Sequence, residues 1–195
     1  MASVQTNPMP AGRPATLDDL YRVEGKAELI DGRIVRYMAN GVQPSQIAFV
    51  IAMSLQAFAK LTHSGAAFPD GLGYAIRPPL RSRRQSFQPD ASYYAGPLPA
   101  NFMRFIEGPP TFAVEVRSEG DYTAAAEREM VAKRADYFEA GTLVVWDVDP
   151  MGRTISCYRA ASPLQPAIFR AGESAEAEPA VPGWKIAVDD VFGGP

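Results

Sequence analysis

Thr111-Phe112-Ala113-Val114-Glu115-Val116-Arg117-Ser118 is the stretch from which the fold of this chain can be read. Pro109 and Pro110 end whatever precedes it, and the apolar and β-branched residues that follow predict a buried strand. Side chains alternate along a strand, so Phe112, Val114 and Val116 take one face while Ala113, Glu115 and Arg117 take the other. A carboxylate in such a strand is costly unless it is paired or holds a metal. A second acid, Asp90, ends another candidate strand, Phe87-Gln88-Pro89-Asp90. Two acids, with a cation two residues past the second, suit metal-assisted phosphodiester cleavage.

Helices and further strands extend outward from this centre. Ala124–Ala140 is rich in Ala, Glu, Lys and Arg and stops at Gly141, which predicts a long helix. Val144, Val145 and Trp146 centre a strand, 142–148, that turns at Asp149-Pro150-Met151-Gly152 into an antiparallel partner, 154–158. Upstream, Ile47, Val50, Ile51, Leu55, Phe58 and Leu61 recur at helical spacing over 43–61, started by Pro44 or Ser45 and stopped at His63-Ser64-Gly65. His63 is read as a capping residue there. Strands are expected at 66–68, 73–77 and 87–94, and the proline-rich 96–110 as a surface excursion. Asp31-Gly32 joins two short strands across 28–35, a hairpin signal, and Thr16 to Asp19 forms a capping box for a short helix ending near Gly25. Residues 1–15 read as a flexible arm and 160–183 as a loop with one short edge strand near 167–170. The fold class is α/β (α+β), one domain over 16–192: a mixed sheet flanked by helices, with the acid-bearing strands near its middle.

Bulk properties narrow the function classes. The 195 residues suffice for one domain with a full core, and 47% hydrophobic with 21% charged residues is ordinary for a globular chain. A single cysteine, Cys157, rules out an internal disulfide framework, and a single histidine rules out His-rich metal chemistry. No apolar run reaches the ~20 residues of a membrane span and no secretory signal opens the chain, so a cytoplasmic location is expected. A net charge of −3 argues against an obligate tight binder of nucleic acid, which would usually be more basic. Arg77, Arg81, Arg83 and Arg84 nevertheless cluster before the Asp90 strand, either as a phosphate-engaging loop or as a solvated one.

The chemistry follows from these residues. Mg²⁺ or Mn²⁺ binds through one or two carboxylates, water and substrate phosphate, so Asp90 and Glu115 are the candidate metal ligands. Arg117, permanently protonated, is a candidate clamp and never a base. Lys133 lies at the edge of an apolar arc of Met130, Val131, Tyr137 and Phe138, from which it either reaches the sheet or snorkels to solvent. The arc is imperfect, because Arg134 falls inside it. The plainer alternative makes Asp90 a turn former and Glu115 an edge residue in water.

Glu28-Leu29-Ile30-Asp31-Gly32, Gln88-Pro89-Asp90, Val114-Glu115-Val116-Arg117-Ser118, Lys133 with Tyr137 and Gly141, Val145-Trp146-Asp147-Val148-Asp149-Pro150 and Pro182-Gly183-Trp184 occur in one order. As an ordered set over 16–192 they resemble the Uma-two family of endonucleases. The resemblance implies a restriction-endonuclease-like fold with a PD-(D/E)xK-type site: Asp90 and Glu115 as metal-binding acids, Glu28 as an additional site acid, and Lys133 as the helix lysine that replaces the one missing two residues after the second acid. Ser118 is followed by Glu119-Gly120 where the family commonly has Ser-Pro. The link to Lys133 is longer, which leaves the family's helix-start acid matched by either Asp121 or Glu129. Gln46 stands where many relatives have histidine. The expected activity is Mg²⁺- or Mn²⁺-dependent DNA cleavage, with a homodimer expected because C₂ pairs are the commonest oligomers. The rival is a catalytically silent module of the same fold that acts by self-association or partner binding.

Overall fold

The computed structural model describes residues 13–193. Thr16 caps the first helix, α1 (Leu17–Leu20), through a reciprocal box: its Oγ1 accepts the Asp19 amide, and Asp19 accepts the Thr16 amide at 2.9 Å. The helix ends at Leu20, short of the expected Gly25. Asp31 and Gly32 both take positive φ, 49° and 66°, as a two-residue type I′ turn requires, and close β1 (Ala27–Ile30) antiparallel onto β2 (Arg33–Arg36). A Cβ on Gly32 would lie 2.7 Å from that of Pro14, so this turn needs glycine for space as well as for backbone freedom. Pro14 is close because the end of the expected arm is docked: Ala15 is buried and donates its amide to the Gly32 carbonyl at 2.8 Å. Residues 1–12 of that arm lie outside the described residues.

The long helix α2 (Val42–Thr62) buries Ile47, Ile51 and Leu55 and starts at Val42 after an N-cap at Gly41, ahead of the expected Pro44 or Ser45. His63 closes it in the left-handed region. At 21 residues it is long and apolar enough, by length and composition, to cross a membrane, contrary to the expectation that no such run exists. Here its apolar face packs on the sheet instead. β3 (Ala66–Pro69) and the short β4 (Tyr74–Ala75), β5 (Ser86–Phe87), β6 (Ala91–Tyr94) and β7 (Ile106–Glu107) lead to β8 (Phe112–Val116). A 3-10 turn (Glu119–Tyr122) precedes α3 (Ala124–Ala140), which Thr123 caps by accepting the Ala126 amide and Gly141 ends at φ 110°. β9 (Val144–Asp149), β10 (Thr154–Arg159), β11 (Ser162–Phe169), β12 (Ser174–Glu176), β13 (Lys185–Ala187) and α4 (Val188–Phe192) complete the chain.

One mixed sheet of six strands, in the order β11-β10-β9-β8-β6-β3, forms the backbone of the fold. Its one parallel pair, β8 with β9, is joined by the α3 crossover, since parallel neighbours cannot be linked by a tight turn. The expected alternation holds. Phe112, Val114 and Val116 join α2, Trp146 and Trp184 on one face, while Ala113 packs with Tyr137, Val145 and Phe87 on the other. Each fully buried Ile51, Leu55 or Phe112 contributes about 1.5–3 kcal/mol.

Three expectations need correction. The 87–94 strand is two elements: Pro89 has no amide to donate, and β5 pairs with β4 in a separate small sheet while β6 enters the main one. Asp90 therefore stands just before β6, on the bend between two sheets, and not at a strand end. The 96–110 excursion contains β7, whose Ile106 is buried beside β4. The 160–183 region contains an eight-residue edge strand, β11, in which Pro163 and Pro166 are tolerated because an edge leaves one side unpaired.

Candidate active site

Four segments bring their polar side chains to one cleft of about 430 Å³ at the α3 face of the sheet. Strand alternation puts Glu115 on that face, opposite the α2 core. β6 pairs with β8 from Ala91, opposite Val114, and Asp90 lies just before that pairing, beside the strand that carries Glu115. The Asp90 amide donates to the Val114 carbonyl at 3.0 Å, and the Val116 amide donates to Asp90 Oδ2 at 2.7 Å. Asp90 is thus clamped to the strand that carries Glu115.

Lys133 reaches down from α3 into this acid pair. Its Nζ is 2.8 Å from Glu115 Oε1 and 3.2 Å from Glu28 Oε1, and its side chain is largely buried. Of the two alternatives left open by the helix pattern, the ammonium takes the sheet side. Met130 and Tyr137 share that side, whereas Val131 is exposed and does not belong to a buried arc. The Tyr137 hydroxyl donates to Glu115 Oε1 at 2.7 Å while its ring stacks on Phe87 at 4.1 Å. Burial would lower the Lys133 pKa, but Glu115 and Glu28 outweigh it and raise it, so the side chain is a fixed ammonium and not a base. Glu115 is pushed upward from the usual carboxylate range, by burial first and by Asp90, against the pull of Lys133.

Glu28 joins the cluster but is completely buried. Its Oε2 accepts from Arg84 and, at 2.8 Å, from the Tyr37 hydroxyl; its Oε1 accepts the Gln88 amide at 3.0 Å. Burial alone would raise its pKa, yet Lys133, Arg84 and these hydrogen bonds hold it at about 2. Glu28 therefore positions Lys133 from behind and is not open to the cleft. Arg84 extends the chain of charges to Asp136 of α3, Nε to Oδ2 at 2.8 Å.

The remaining cations divide differently from the sequence reading. Arg117 shares the cleft but not the Glu115 contact: its guanidinium grips Asp147 in two bonds of 2.7 Å each, with Glu127 at 3.0 Å and Arg134 on the same Asp147 at 3.0 Å. The position two residues on, where a strand would return it to the Glu115 side, lies just past the end of β8. Of the arginine loop, Arg84 is buried within the network, while Arg77, Arg81 and Arg83 are exposed and face Glu107, Glu139 and Asp31.

Sequence reasoning missed Lys26, Tyr37 and Asn40. Lys26 Nζ lies 2.5 Å from Asp90 Oδ1 and 3.1 Å from Asp70 Oδ1, and Asn40 Nδ2 is 3.2 Å from the same Asp90 oxygen. A signal for Lys26 existed: it stands two residues before Glu28, the spacing that puts two side chains on one strand face. Nothing local marks Tyr37 or Asn40.

The donor set is compatible with a hard dication. It offers two carboxylates on neighbouring segments, Asp90 and Glu115, while among the described residues no group of three or more His, Cys, Asp or Glu side chains is placed to hold a metal ion. That is the sparse protein ligation Mg²⁺ accepts when water and phosphate complete its shell.

Comparison with known proteins agrees with this architecture. A family described as "Uma2: Putative restriction endonuclease" matches residues 14–189. The crystal structure of "a putative nuclease belonging to DUF820" from Anabaena variabilis superposes with a TM-score of 0.70 at 20% identity, covering 92% of this chain and 98% of that one. At that identity the likeness speaks for the fold alone. Comparison with curated proteins gives no match. The ordered motifs, the mixed sheet and the match across nearly the whole chain place this protein in the Uma2 restriction-endonuclease-like family.

Proposed function

We propose that this protein is a metal-dependent endonuclease that hydrolyses DNA phosphodiester bonds at the Asp90–Glu115–Lys133 cleft, a PD-(D/E)xK-type centre in which the lysine comes from α3. The observation that carries the reading is the Lys133 ammonium held between Glu115 and Glu28, next to the strand-clamped Asp90. Asp90 and Glu115 would hold Mg²⁺ or Mn²⁺. Such an ion polarises a phosphoryl oxygen and lowers the pKa of bound water.

The chain's own groups have distinct tasks. Lys133 presents a fixed positive charge to the phosphoryl group as negative charge builds in the transition state, and its pairing with two carboxylates keeps it in place without reorganisation. Tyr137 and Lys133 together fix the Glu115 rotamer. Glu28 and Arg84 hold Lys133 from the buried side. Arg117 stabilises the cleft wall through Asp147 and touches no reacting atom in this scheme. The exposed Arg77, Arg81 and Arg83 supply a salt-sensitive approach surface for a polyanion.

One observation favours the silent-module reading: a lysine ammonium already sits on each of the two acids, Lys26 on Asp90 and Lys133 on Glu115. A single assay separates the two. Protein purified identically as wild type, Asp90→Asn and Glu115→Gln is incubated with plasmid DNA at low salt with Mn²⁺, Mg²⁺ or EDTA. The endonuclease reading expects metal-dependent nicking by wild type only. Equal cutting by all three, or cutting by none under any metal, overturns it.

A further inference from the structure

Asp90 has two oxygens with different surroundings. Oδ2 accepts the Val116 amide, and Oδ1 is the oxygen that meets side chains from other segments. That oxygen carries the Lys26 ammonium at 2.5 Å, with the Asn40 amide at 3.2 Å. A dication bound to this carboxylate would face the Lys26 ammonium at close range, and their repulsion in a partly buried cleft is much stronger than in water. Lys26 has a second partner in reach. Asp70, on the turn after β3, places its Oδ1 3.1 Å from the same Nζ. Asp70 is far more exposed than Asp90, 43% against 6% for the side chain, and the turn fixes it through a hydrogen bond from the Gly71 amide at 2.9 Å.

We propose that Lys26 is an exchangeable counter-ion of the metal site: the ammonium neutralises Asp90 when no metal is bound, and a divalent cation binds as Lys26 transfers from Asp90 to Asp70. This rests on the metal-site reading of Asp90 and deepens it by naming the group that sets metal affinity. Nearby alternatives for a displaced ammonium are poor, because Lys133 already takes the Glu115 Oε1 position and Arg84 the Glu28 one. Asp70 accepts it without a change in the reach of the side chain. The exchange makes metal binding weaker than two free carboxylates would give, and makes it depend on an acid outside the metal's own shell.

Mn²⁺ binding, measured by calorimetry or by the loss of the free-ion electron paramagnetic resonance signal, tests this on the full chain without DNA. Relative to wild type, Lys26→Met should bind Mn²⁺ about tenfold or more tightly, Lys26→Arg should stay weak, and Asp70→Asn should bind several-fold more weakly. Asp90→Asn serves as the reference for the site. If Asp90→Asn weakens binding while Lys26→Met and Asp70→Asn both stay within twofold of wild type, the exchange is wrong and the metal site stands. If Asp90→Asn binds as wild type does, the metal-site reading itself fails. Should Lys26→Met not fold, the Asp70→Asn arm decides: unchanged affinity there overturns the proposal.

Discussion

Replacing Glu28 by Gln changes one charge in a fully buried place. The carboxylate is shared by Arg84 and Lys133, so the variant leaves two buried cations facing a neutral amide. The cost can be reached from two directions. A carboxyl held at about 2 instead of 4.5 corresponds to roughly 3 kcal/mol of stabilisation at neutral pH. Removing one partner of a buried ion pair costs about 3–5 kcal/mol. The two routes meet at about 3 kcal/mol, the lower end of the second, which for a chain of this size lowers Tm by roughly 6–12 °C. The sign of the pH dependence follows from the depressed value. Glu28 contributes fully above the unfolded carboxyl range near 4.5, and its contribution disappears as pH falls towards 2. Urea denaturation of wild type and Glu28→Gln should therefore show a gap of about 3 kcal/mol at pH 7 that narrows steadily below pH 4.5. Comparing the two proteins cancels the other carboxylates, which titrate in both. A gap below about 1 kcal/mol at pH 7, or one that stays constant on acidification, would falsify the assignment of Glu28 as the charged anchor of Lys133.

Other perturbations test the remaining parts. Lys133→Met should lower cleavage by on the order of 10²–10³ and cost about 3 kcal/mol of stability, since Glu28 and Glu115 both lose their ammonium; a folded variant cutting at the wild-type rate removes Lys133 from the mechanism. Arg117→Lys gives up the two-bond grip on Asp147 and should lower stability by about 1–2 kcal/mol, with single-turnover cleavage within about threefold of wild type; a loss as deep as that of Asp90→Asn would move Arg117 into the reaction. Cys157 is buried and its thiol is pushed up to about 11, so iodoacetamide at pH 8 should modify it only as fast as the protein unfolds; rapid stoichiometric labelling with the near-ultraviolet circular dichroism intact contradicts this.

Local chemistry was enough for a large part of this molecule. α3 spans Ala124–Ala140 in the structure as in the sequence, because Thr123, Gly141 and a run of strong helix formers act within one turn of one another. The Asp31-Gly32 hairpin and the Thr16 capping box are equally short-range. Glu115 announced itself as a charge in a run whose alternate residues had to be buried, and Asp90 as a second acid after Pro89 in the Phe87–Asp90 stretch, which the resemblance then matched. Pro89, a residue in plain view, split the strand expected at 87–94, since its missing amide matters only once two sheets compete for the chain. The charge pairing around the acids was not legible. Lys26 meets Asp90 across 64 residues of sequence, Arg84 meets Glu28 across 56 and Asp136 across 52, and Lys133 meets an acid from each of two different sheets. A strand or helix pattern states which face a side chain takes, but not which charge from a distant segment will face it. Only the assembled fold, with α3 laid across one side of the main sheet and the β1 hairpin packed on the β5 segment, decided that Lys26 would neutralise Asp90, that Arg117 would be spent on Asp147, and that Glu28 would lie beneath Lys133. Charges brought into a low-dielectric cleft must be compensated there, so tertiary packing selects each one's partner.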